Sequence, residues 1–173
     1  MGAKDQGADA TTGRWLVIPR TLCFVTHGND LLLLKRGPHR RVFPNKYNGV
    51  GGHIERGEDP TTSAIREILE ETGLRVKNTR LRGIINIDAG QDTGIMLFVY
   101  TGEALSRDVV QSDEGTLEWV PLDEVQNKEL VEDLPLLLRR VFGPEPFSAH
   151  TSYDDEDNLV MRFFAGDDDP AVP

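Results

Sequence analysis

A chain of 173 residues, 38% hydrophobic and 28% charged, is large enough for one folded domain with its own core, and no apolar run in it reaches the length of a membrane span. A net charge of −10 disfavours long DNA or RNA as a partner, whereas a small phosphorylated substrate stays open if cations are bound with it. The single cysteine, Cys23, has no internal disulfide partner and the N-terminus carries no basic-then-apolar export signal, so a cytoplasmic protein is expected.

Residues 1–13 are small, polar and glycine-containing and read as a disordered leader before one domain over 14–165. Apolar runs at 21–26 and 31–35, separated by Gly28-Asn29-Asp30, predict a hairpin. A basic, proline-containing loop follows at 37–46, then a glycine-rich stretch at 49–54. Residues 59–73 predict a helix: Asp59 suits the N-cap, Pro60 the first turn and Gly73 the left-handed C-cap. Strands are expected at 81–87, 95–100 and 117–120. Leu134, Leu137, Leu138 and Val141 recur at helical spacing, and 147–152 with 159–164 predict a closing hairpin. An acidic tail, disordered in expectation, occupies 166–173. Strands mixed with two helices indicate an α/β or α+β sandwich.

At about 100° per residue, Ala64, Ile65, Ile68 and Leu69 share one face of the first helix and are expected to be its buried side. Glu67, Glu70 and Glu71 share a different face, where like charges at this spacing repel. Arg66 is the only base nearby. Taken alone, the triad is either an ordinary acidic helix face or a hard-oxygen site for Mg²⁺ or Mn²⁺.

The surroundings narrow that choice. From Gly52 through Glu58 and Arg66-Glu67-Ile68-Leu69-Glu70-Glu71-Thr72-Gly73-Leu74, the segment resembles the Nudix box at every defining position. The resemblance implies an α/β/α sandwich with a mixed sheet, in which the box forms a loop, a helix and a loop. It implies that Glu67, Glu70 and Glu71 coordinate Mg²⁺, with Mn²⁺ as substitute, joined by the main-chain carbonyl of Gly51. It further implies that Glu58 and Arg66 hold the loop and orient the glutamates, with Gly52 and Gly73 shaping its ends. The implied reaction is attack of water on phosphorus in a nucleoside diphosphate derivative.

Substrate choice must come from outside the box. Tyr47-Asn48-Gly49-Val50-Gly51-Gly52, then Ser112-Asp113-Glu114 and Trp119, resemble the MutT-type branch that hydrolyses oxidised-purine nucleoside triphosphates. On that resemblance Glu114 is a further metal ligand or base and Asn48 reads the purine. Tyr47 or Trp119 stacks on the base, and Glu132 or Asp133 supplies a second polar contact. Each has a plainer reading: Trp119 as a core or rim aromatic, Asn48 as a turn residue, Glu114 as a loop charge. Lys35, Arg36, Arg40 and Arg41 are open to phosphate contact or to simple solvation. Three functions follow: a purine nucleoside triphosphate pyrophosphohydrolase, an ADP-ribose or nucleotide-sugar pyrophosphatase, and a non-catalytic nucleotide sensor. The four histidines lack zinc-ligand spacing, and oligomeric state is not legible.

Overall fold

The computed structural model describes residues 6–8, 11–111 and 113–164. The expected acidic tail and Ser112 lie outside these, as does part of the expected leader. In chain order the elements are β1 (Leu16–His27), β2 (Asp30–Arg36), β3 (Tyr47–Asn48), α1 (Pro60–Thr72), β4 (Val76–Ile87) and β5 (Thr93–Ala104). After them come β6 (Gly115–Pro121), a 3₁₀ turn (Val125–Asn127), α2 (Leu134–Val141), β7 (Phe147–Tyr153) and β8 (Leu159–Phe164). No described helix is long and apolar enough to cross a membrane.

The strands make one mixed sheet in the order β3-β2-β1-β5-β4-β7-β8, with β6 also paired to β2. The pairs β1–β5 and β4–β7 are parallel and the others antiparallel. The run Leu31-Leu32-Leu33-Leu34 is buried on both sides of this sheet. Leu31 and Leu33 join Leu22, Phe24, Leu134, Leu137 and Val141 under α2, while Leu32 and Leu34 join Cys23, Val25, Ala64 and Ile68 under α1. A strand covered on both faces needs apolar residues at every position, so it reads as an unbroken run. Two helices over two sheet faces give the expected α/β/α sandwich.

The strands β1, β4 and β5, each of 12 residues, overrun their predicted lengths. Their extra ends, such as Leu16 to Arg20, are half-exposed and include Pro19 and Arg20, so hydrophobic patterning does not mark them. Pairing with a neighbour over the whole length, from Leu16–Thr93 to Thr26–Glu103, is what makes them strand.

Helix α1 starts and stops where its caps dictate. Asp59 Oδ1 accepts from the Thr61 and Thr62 amides at 2.8 and 3.1 Å, and Gly73 (φ 73°) donates to the Leu69 carbonyl. Its buried side is not the expected one. Ser63, Ala64, Ile68 and Thr72 face the sheet, whereas Ile65 and Leu69 are 43% and 47% exposed. The helix is thus rotated from the orientation that maximises apolar burial. Glu67 and Glu71 fall within the arc that faces the sheet, and only Glu70 points away. Burying Ile68 is worth about 1.5–3 kcal/mol.

Cys23, fully buried on β1, has its thiol pushed up to about 12, chiefly by burial. It should resist an aromatic disulfide reagent in the native protein and react only on unfolding. Stoichiometric labelling without denaturant would contradict this packing role.

Candidate active site

Where Glu67 and Glu71 point, the main chain has no side chains. Gly51 and Gly52 thread between β1 and α1, with the Thr21 amide donating to the Gly52 carbonyl at 2.8 Å. A Cβ on Gly51 (φ +146°) would stand 2.3 Å from the Thr21 carbonyl oxygen, and one on Gly52 would stand 2.5 Å from the Glu67 carboxylate. These are close approaches that only glycine allows. The Gly51 amide donates to Glu71 Oε2 at 3.0 Å.

Arg66 organises the rest. Its Nε and Nη2 grip both oxygens of Glu58 at 2.9 and 2.8 Å, and Nη2 also donates to the His53 carbonyl at 3.0 Å. Its Nη1 donates to Glu67 Oε1 and Glu70 Oε2, each at 2.9 Å. The fork therefore ties the loop before α1 to the helix and separates two of the like charges. Its hydrogen bonds hold the Glu58 carboxyl down at about 2. Glu67 is 13% exposed and Glu70 58%. Among the described residues no three His, Cys, Asp or Glu side chains already converge closely enough to hold an ion.

Glu71 is in the opposite condition to Glu58. Burial pushes its carboxyl up to about 7; the Glu67 and Glu114 charges add to this, while the Gly51 amide and the Arg36 charge oppose it. Glu114 arrives from the far strand: its carbonyl accepts from the Gly37 amide, and Gly115 pairs with Arg36 across β2 and β6. Its carboxylate pairs with Arg40 of the 37–46 loop. The fold thus gathers Glu67, Glu71, Glu114 and Arg36 at one end of β2, although Glu114 is 47 and 43 positions from Glu67 and Glu71 in the chain.

A family model described as the NUDIX domain matches residues 17–141. The chain belongs to the Nudix family. This Nudix hydrolase is 28% identical over 146 residues to the oxidized purine nucleoside triphosphate hydrolase of Mus musculus, covering 81% of this chain and 89% of that protein. The protein of the same name from Danio rerio is 30% identical over 138 residues, covering 75% and 86%. Among solved structures, the MutT protein from Bacillus halodurans superposes with a TM-score of 0.73 at 27% identity, over 85% of this chain and 97% of that one.

Outside the Nudix box the candidate residues divide. Tyr47 is buried on the α2 side, with its hydroxyl donating to Glu118 Oε2 at 2.7 Å and the ammonium groups of Lys35 and Lys128 at 5.6 and 5.3 Å from its ring centre. The chain at 129–131 is pinned to it: the Tyr47 amide donates to the Glu129 carbonyl and the Val131 amide to the Tyr47 carbonyl. That brings residues 129–131 alongside Tyr47. Of the two acids that follow, Glu132 is exposed, whereas the Asp133 carboxyl is raised by burial and then by the Glu132 charge. The Asn48 side chain accepts from the next amide, Gly49, at 2.8 Å.

Trp119 packs on the α1 side of the sheet, opposite Leu32, whereas Tyr47 is on the α2 side. Its indole donates to the Arg107 carbonyl at 3.0 Å, with the Arg107 guanidinium 5.2 Å above the ring and His27 edge-on. Register across β2 and β6 sets this side, so the two candidate stacking residues lie on opposite faces of the sheet. A surface cavity of about 370 Å³, lined by Arg80, Arg82 and Phe142 among others, includes none of the candidate residues.

Nothing in the sequence marks Thr21, whose main-chain amide holds the Gly52 carbonyl, and the roles of Arg36 and Arg40 stay open there. Arg36 and Arg40 lie in the basic stretch 35–41, but their link to Glu71 and Glu114 exists only through strand pairing and the loop's fold.

Proposed function

We propose that this Nudix hydrolase is a divalent-cation-dependent pyrophosphohydrolase of purine nucleoside triphosphates, yielding the monophosphate and pyrophosphate. The observation that carries the reading is the approach of the Glu67 and Glu71 carboxylates to the bare main chain of Gly51 and Gly52. Glu71 is raised first by burial and then by the charges of Glu67 and Glu114, so the cluster gains from a cation. Oxygen donors alone suit a hard ion, Mg²⁺ first and Mn²⁺ as substitute. Glu67, Glu70, Glu71 and Glu114, with the Gly51 carbonyl, would hold it. When bound it supplies neutralisation of phosphate charge and a lowered pKa for water.

The protein's own share is positioning. Arg66 fixes the glutamates through Glu58 and the His53 carbonyl, and Gly51 aims Glu71 through its amide. Glu114 is proposed to accept the proton of the attacking water. The relatives named for oxidized purine nucleoside triphosphates support the substrate class, and the half-buried Asp133, two positions after the Val131 amide that bonds the Tyr47 carbonyl, supports a base-reading pocket.

Turnover should require Mg²⁺ or Mn²⁺ and stop in excess chelator. Product analysis over dGTP, dATP, dCTP and ADP-ribose should give pyrophosphate from the purine triphosphates. Preference for ADP-ribose would overturn the substrate class and leave the family untouched. Asp133→Asn should lower kcat/KM for purine triphosphates about tenfold, the value of one lost contact, and leave dCTP nearly unchanged. An equal fall on all three triphosphates would make Asp133 a structural residue of the α2 terminus.

A further inference from the structure

On the α2 side of the sheet, one end is not apolar. Arg20 precedes Leu22 and Phe24 by two and four positions on the unbroken strand β1, so its side chain leaves on their face, beside Leu97 of β5. Arg20 Nε is buried and has no hydrogen-bond partner among the described residues. Thr151 Oγ1, on the same face of β7 as Phe147 and Ala149, is likewise buried without one. Arg20 stands level with Leu97 and Ile85, and Thr151 stands level with Ile87, two residues further along the sheet; Leu97, Ile85 and Ile87 all pack into the apolar cluster. The N-terminal end of α2 brings the half-buried Asp133 to this face, and the Asp133 charge reaches Tyr153 at the end of β7. From β1 to β7 are three strand spacings, about 14 Å, enough for a bicyclic base to lie on the apolar floor.

Two orphaned polar atoms in one patch are costly, and folded proteins seldom keep them unless water or a ligand completes them. A guanidinium only donates, so its complement must present acceptors side by side. Among nucleobases, guanine offers O6 and N7 in that arrangement, and adenine replaces O6 by an amino donor. Guanine's other edge offers N1–H and N2–H₂ to a carboxylate such as Asp133.

Building on the purine-triphosphate reading, we propose that Arg20 is a specificity residue that reads the O6/N7 edge of guanine. A consequence separates this chain from an enzyme dedicated to oxidised guanine. Oxidation at C8 turns N7 from an acceptor into an N–H donor, which opposes an arginine donor. Arg20 thus favours the unoxidised base.

The test compares wild type with Arg20→Met, which keeps the stem, and Arg20→Lys, which keeps the charge without the fork. In wild type, kcat/KM for dGTP should exceed that for dATP and for 8-oxo-dGTP by about tenfold or more, and both variants should lose most of that margin through dGTP alone. Calorimetry with methylene-bridged dGTP and dATP analogues should show the same loss in binding. The melting temperature of ligand-free Arg20→Met should hold or rise, since an unpaired buried donor is removed. An unchanged dGTP to dATP ratio in both variants overturns the proposal, as does a wild-type preference for 8-oxo-dGTP that survives in Arg20→Met. If wild type instead hydrolyses ADP-ribose and no triphosphate, the underlying reading fails, and this proposal fails with it.

Discussion

Glu71→Gln should lower kcat about 10²-fold or more and at the same time stabilise the metal-free protein at pH 8. The two effects share one cause. Glu71 sits beside the sheet with its carboxyl raised from 4.5 to about 7 by burial and by Glu67 and Glu114. The native state therefore binds a proton that the unfolded state has released between those two values. Stability from this group is complete below about 4.5 and declines as pH rises through 7. At pH 8 the native protein carries a half-buried charge beside two others, and the neutral amide removes it. At pH 4 the carboxyl is already neutral and the substitution should change little. Melting curves of both proteins in chelator at pH 4, 6 and 8 measure this directly. A stability difference that does not grow with pH would show that Glu71 is not strained by its neighbours. Glu70→Gln should also reduce kcat, since it removes a carboxylate that the Arg66 fork holds at 2.9 Å.

Gly51→Ala should be the most damaging single methyl group in the site, costing about 3 kcal/mol or more. The added Cβ would meet a main-chain oxygen, Thr21 O, at 2.3 Å, in a backbone conformation that L residues rarely adopt. Relief by moving Thr21 is blocked, because the Thr21 amide is bonded to the Gly52 carbonyl. The displaced chain would also withdraw the amide that holds Glu71. Denaturant unfolding should show a fall in midpoint, and kcat should fall even where the protein remains folded. Gly57→Ala is the control: its φ of +96° is also positive, but open space surrounds it, so only the backbone cost applies. Equal behaviour of the two variants would mean that the close approach to β1 is dispensable.

Local chemistry made much of this chain legible. Asp59, Pro60 and Gly73 mark the ends of α1 because capping depends on neighbours within four positions. The doubly buried Leu31 to Leu34 announces an interior strand for the same reason. The spacing of Glu58, Arg66, Glu67, Glu70, Glu71 and Gly73 is likewise local, and with Gly52 it is enough to identify the Nudix family. What the spacing cannot reveal is which way the helix is turned. Ile65 and Leu69 ought to be buried by hydrophobicity, yet they face outward, because the glycine passage beside β1 receives Glu67 and Glu71 instead.

Contacts between distant segments were decided only by tertiary structure. Glu114 joins Glu71 because β6 pairs with β2 in a register that sets Gly115 opposite Arg36. That register also sends Trp119 to the α1 side and leaves Tyr47 on the other, which no count along the chain could foretell, since a shift of one residue reverses every side chain. Arg20 lies just outside the strand predicted from 21–26, and only its parallel pairing with β5 sets it on the α2 face, its Nε buried without a hydrogen-bond partner among the described residues. The sequence by itself determined the reaction class and the carboxylates available for it. Strand register and helix rotation, which depend on packing summed over the whole sheet, decided which of those groups meet and what lines the surface beside them.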